Sequence, residues 1–175
     1  MSALNDFIDE ERALLVSIPV RAGYWISHID DVPGSARDDA REQLALEKAL
    51  GMIVDKTGDD RFINDIAEFA LSSKGDWPRW SDNAGTVLAD IPKALSLIES
   101  RLSAKDLKDY KSAIYRIAGV VAQAAHEDGA AASNGTGILS KLVDRLSVKT
   151  DMSEPENISA TEKAALQKLL ACLKG

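Results

Sequence analysis

The sequence predicts an all-α fold, a multi-helix bundle of about six to eight helices. Apolar residues recur at steps of three and four along most of the chain, and no segment alternates as a half-buried strand would. The chain has 175 residues, 45% of them hydrophobic, which is enough for one sizeable core and short for two. We therefore expect a single helical domain spanning residues 1–175.

Residues 1–73 predict four helices. The first begins near Asn5 and is ended by Ser17 and Pro19, because proline is expelled from helix interiors. The second runs from Pro19 to Ile29, and the third from Ser35 to Lys56. The third helix should bury Leu46, Ala49, Leu50 and Ile53, and leave Asp38, Asp39, Arg41 and Glu42 in water. The fourth, residues 61–73, should turn these side chains inward: Phe62, Ile63, Ile66, Phe69 and Ala70.

The segment GDWPRWSDN, residues 75–83, predicts a loop because glycine, proline and asparagine interrupt the helical pattern. Trp77 and Trp80 in this loop have two interpretations. They form a lid over one end of the bundle, which we favour, or a contact surface, since tryptophan and arginine dominate binding hot spots. A further helix is predicted from Leu88 to Leu102, with Asp90 as its cap.

The strongest helical pattern lies between Ser103 and Gly129 and predicts a helix over residues 104–126 in the middle of the bundle. Ser103 and Asp106 have the spacing of a capping box at its start. Its apolar face carries Leu107, Tyr110, Ile114, Ile117, Val121 and Ala124, and a second stripe carries Ala118, Ala122 and Ala125. A short helix should follow over residues 137–149, and a last helix from Ser159 to Leu173, where Ser159 and Glu162 form another capping box.

Two stretches of the chain resemble each other. RAGYWISHIDD at residues 21–31 aligns with IAGVVAQAAHED at 117–128, and each is followed by a segment with Glu-Lys-Ala, EKALGMI or EKAALQKLL. One explanation is duplication, which would give two related halves, roughly residues 5–75 and 103–175. The alternative is chance similarity between amphipathic helices, which explains the match equally well.

Charge and cysteine content restrict the partners and the compartment. The net charge of −7 and the pI near 4.9 argue against nucleic acid and against an anionic membrane surface, and the sequence shows no basic face. A protein partner that is cationic, or a metal ion, suits this charge better. Cys172 is the single cysteine, and no segment resembles a signal peptide or a membrane span, so we expect a cytoplasmic protein.

The second half also carries a family resemblance. AAHEDG, with Asp128 and Gly129, followed by ISATEKAALQKLL, with Ser159 and Glu162, resembles the TerB-like tellurite-resistance family of small helical proteins. Gly129 and Ser159 stand 30 residues apart, a longer connection than is usual in that family. The resemblance implies a bundle of two related halves, a stress-response or regulatory setting, and acidic residues at helix junctions that bind a metal.

Both histidines stand beside acids at predicted helix ends, in HIDD and HEDG. Carboxylates at a helix C-terminus are repelled by the negative end of the helix dipole. A cation would relieve this repulsion, and so would a lysine, a helix N-terminus or water. Oxygen ligands with one imidazole suit a divalent cation such as Mg²⁺, Mn²⁺ or Ca²⁺. The candidate metal ligands are Asp30, Asp31, His126, Glu127, Asp128 and Glu162.

Two functional hypotheses remain at the level of sequence. The first is a non-enzymatic helical interaction or stress-response protein that presents an acidic, metal-binding face. The second is a small metal-dependent enzyme in which helix-end carboxylates bind the metal and His28 or His126 is the general base. Familiar catalytic motifs do not occur, among them His-Glu-x-x-His, Gly-x-Ser-x-Gly and the phosphate-binding Gly-x-x-x-x-Gly-Lys.

Overall fold

The computed structural model describes residues 2–29, 36–56, 61–125 and 158–175. These residues form seven α-helices and no strand, as the all-α prediction requires. The helices are α1 (Asp9–Ser27), α2 (Ala36–Lys56), α3 (Arg61–Ser72), α4 (Trp77–Asp82), α5 (Val87–Arg101), α6 (Ala104–Ala125) and α7 (Ala160–Lys174). Three short 3₁₀ segments lie at Ala3–Asp6, Lys74–Asp76 and Ala84–Thr86. The short helix predicted at 137–149 lies outside the described residues.

Helix α6 is the centre of the bundle. It packs against α1 and α2 most extensively, and against α3, α5 and α7 as well. Its predicted stripe is buried at Tyr110, Ile114, Ile117 and Val121, because these side chains share one helix face. Buried side chains from all seven helices join one hydrophobic cluster around it.

Helices α1 and α6 run parallel to each other. The Tyr110 hydroxyl of α6 donates to the carbonyl oxygen of Leu15 in the middle of α1, over 2.7 Å. Two turns further along α1, Gly23 faces both α2 and α6. A Cβ at Gly23 would lie 2.8 Å from Leu46 Cδ1 of α2, 3.3 Å from Val121 Cγ2 and 3.5 Å from Ile117 Cγ2 of α6. A side chain at position 23 would hold these helices apart, which explains glycine in a helix interior. The C-termini of α1 and α6 consequently lie at the same end of the bundle.

Helix α5 runs antiparallel to α1. Arg21, near the C-terminal end of α1, bonds to Asp90 at the start of α5, over 2.7 Å. At the opposite end, Arg101 of α5 bonds to Glu11 in the first turn of α1, with 2.8 Å between Arg101 Nη2 and Glu11 Oε1. The beginning of α5 therefore lies at the same end of the bundle as the C-termini of α1 and α6.

Our prediction of a helix break at Ser17 and Pro19 is wrong, because α1 is one continuous helix from Asp9 to Ser27. Pro19 has no N–H to donate to the carbonyl of Leu15, four residues before it. The Tyr110 hydroxyl donates to that carbonyl instead. A tertiary hydrogen bond thus replaces the missing helical one.

The GDWPRWSDN segment is not the predicted loop. Lys74–Asp76 forms a 3₁₀ turn and α4 follows, with Pro78 in its first turn, where the missing N–H is harmless.

Two burial predictions on α2 and α3 are also wrong: Glu42 is buried, and Phe69 is 44% exposed. Asp90 lies in the first turn of α5 and is not its N-cap, which is Thr86.

Candidate functional site

Most of the predicted metal ligands lie outside the described residues: Asp30, Asp31, His126, Glu127 and Asp128. The structure does describe the helices that precede them. Asp30 and Asp31 follow α1 in the sequence, and His126 to Asp128 follow α6 directly. Because α1 and α6 are parallel neighbours, the negative ends of both helix dipoles lie at one end of the bundle.

Glu162, the remaining predicted ligand, belongs to the capping box of α7. Its backbone N–H donates to Ser159 Oγ over 3.1 Å, and its Oε2 accepts from the Ser159 backbone N–H over 3.0 Å. The side chain is only 1% exposed. These contacts are those of a helix cap, as the sequence predicts, and they satisfy two backbone donors that the first turn would leave free. Within the described residues, no three or more His, Cys, Asp or Glu side chains are grouped closely enough to hold a metal ion.

His28 is the described histidine, and it caps the C-terminus of α1 with helical backbone angles. Its Nε2 lies 3.4 Å from Ser81 Oγ on α4. The Tyr24 ring stacks on the imidazole with centroids 6.0 Å apart, and the Trp77 ring meets Tyr24 edge-on at 6.5 Å. Ser81 is a neighbour that the sequence did not predict.

The His28–Ser81 separation is longer than the usual contact between an activated nucleophile and its base. A hydroxyl that transfers its proton to an imidazole lies about 2.6–3.2 Å from the nitrogen, with a third group orienting the ring. Here the separation is 3.4 Å and the imidazole is exposed to solvent. What orients the ring is stacking on Tyr24. The geometry is that of a surface contact between the end of α1 and α4.

Trp77 and Trp80 are buried, at 1% and 8% exposure, in agreement with the lid interpretation. The Trp77 indole N–H donates to the carbonyl oxygen of Ala70 in α3 over 2.9 Å. Both rings join the core cluster. They fix α4 across the end of the bundle and do not present an open contact surface, whereas Pro78 and Arg79 between them are exposed.

Arg21 forms a buried polar cluster that sequence reasoning missed. Its side chain is 7% exposed and donates to the Asn83 carbonyl, to Thr86 Oγ1 and to Asp90 Oδ2. Hydrogen bonds from Lys93 first and Arg21 second lower the pKa of Asp90 to about 2. The partners stand 62 to 69 residues from Arg21, so no local spacing could have revealed the cluster. It holds the beginning of α5 against α1.

Gln123, in the last turns of α6, has a buried side-chain oxygen with no hydrogen-bond donor in the part of the chain that the structure describes. An amide oxygen is an acceptor that hard cations and N–H donors both satisfy. It lies at the end of the bundle shared by the C-termini of α1 and α6. Chain position alone could not have shown that this oxygen is buried.

Comparison with known proteins adds no relative. No family model matches the sequence, and neither a curated protein nor a solved structure matches it. None of the helices in the described part of the chain has the length and apolar character needed to cross a membrane.

Proposed function

We propose that this protein is a non-enzymatic helical interaction protein whose acidic end binds a divalent cation or a cationic protein partner. The observation that carries the proposal is the parallel packing of α1 and α6, fixed by the Tyr110–Leu15 bond and by the close approach at Gly23. It brings the C-termini of both helices to one end of the bundle. Each of these helices continues in the sequence into a histidine followed by acids, HIDD and HEDG.

Electrostatics supports a positive ligand at this end. Each helix C-terminus carries about half a negative charge, and two of them side by side add to the charge of the carboxylates that follow. The whole chain has a net charge of −7, so the remainder of the protein does not offset this potential. The Gln123 oxygen, which has no hydrogen-bond donor among the described residues, supplies an additional acceptor at the same end.

The sequence resemblance supports the same proposal. AAHEDG and ISATEKAALQKLL carry the resemblance to TerB-like proteins. That resemblance implies acids at helix junctions that bind a metal, in a stress-response or regulatory setting. A cytoplasmic location belongs to the proposal, because a single cysteine suits a reducing compartment.

Calorimetry on the chelator-treated protein tests the proposal, with Mg²⁺, Mn²⁺ and Ca²⁺ titrated in turn. We expect one of these cations to bind. The variants Asp30→Asn and Asp128→Asn should each weaken its binding by about tenfold, because the amide keeps the shape of the side chain and loses its charge. The apo variants should be as stable as the parent or slightly more so, since each loses a charge that the helix dipole repels.

The matched control is Glu10→Gln, which removes an exposed carboxylate from the opposite end of α1. It should leave cation affinity unchanged. Equal weakening by Glu10→Gln would mean that only net charge matters. If no cation binds, the metal-binding form of the proposal is wrong. If Asp128→Asn destabilises the protein by more than about 1 kcal/mol without affecting binding, Asp128 is an internal partner and not part of a site.

A further inference from the structure

We draw no further inference here: the strongest candidate, the buried side-chain oxygen of Gln123 in the last turns of α6, belongs to the end of the bundle already proposed to bind a cation, and nothing in the described part of the chain shows what that oxygen binds.

Discussion

Tyr110 donates its hydroxyl hydrogen to the one carbonyl of α1 that Pro19 leaves without a helical donor, that of Leu15. The same relationship occurs in α5, where Pro92 leaves the Leu88 carbonyl free and the Cys172 thiol of α7 donates to it. In both helices an interior proline is tolerated because a side chain from another helix takes the place of the missing N–H.

We expect Tyr110→Phe to destabilise the protein by about 1–3 kcal/mol, because it leaves the buried Leu15 carbonyl without a donor. Urea unfolding measures the loss. The partner experiment uses a Pro19→Ala background, in which the residue 19 N–H bonds to Leu15. There Tyr110→Phe should cost markedly less, and an equal cost in both backgrounds would refute the compensation.

Cys172→Ala should destabilise the protein by about 1 kcal/mol, and Cys172→Ser by less, because serine keeps a donor for the Leu88 carbonyl. Thermal unfolding of the two variants measures the difference. Burial raises the pKa of the Cys172 thiol, so its alkylation at neutral pH should be slower than that of a small-molecule thiol. Alkylation at the free-thiol rate would show that Cys172 does not contact α5.

Asp90 should make stability depend on pH in the acid range. Its pKa of about 2 is lower than the usual 3.8, so its ionised form stabilises the fold above pH 3.8, and that contribution is lost as the pH falls toward 2. Asp90→Asn should lower stability at neutral pH and flatten the pH dependence across this window. Urea unfolding between pH 5 and 2 measures both effects, and an unchanged slope in the variant would contradict the assignment.

Ser159→Ala should cost about 1 kcal/mol through loss of the α7 cap. Glu162→Gln should cost less, because the amide oxygen can still accept from the Ser159 N–H. Chemical denaturation gives both values. A Glu162→Gln variant of unchanged stability that has lost cation binding in calorimetry would instead make Glu162 a metal ligand.

The sequence predicted the fold where local pattern and burial agree. The helix predicted at 104–126 is confirmed over Ala104–Ala125. Its cap at Ser103 and the box at Ser159 and Glu162 are confirmed too, because capping depends on residues three apart. The break at Pro19 was predicted wrongly because its compensation comes from Tyr110, 95 residues away from Leu15. GDWPRWSDN was misassigned because burial of Trp77 and Trp80 outweighs the weak helical propensity of its neighbours.

The candidate site was predicted only in part. Glu162 lies where its spacing from Ser159 indicates, as a cap. Arg21 and Gln123 were missed because their significance depends on burial and on partners distant in sequence, which no local pattern encodes.

The Leu15–Tyr110 bond also bears on the order of events during synthesis. Tyr110 is synthesised 95 residues after Leu15, and until the two meet the open Leu15 carbonyl can be satisfied only by water. The N-terminal helix therefore becomes continuous as α6 docks, and a peptide of residues 9–27 alone should show two short, frayed turns interrupted at Pro19. Maturation of the first helix is in this sense a late, cooperative step that depends on the second half of the chain.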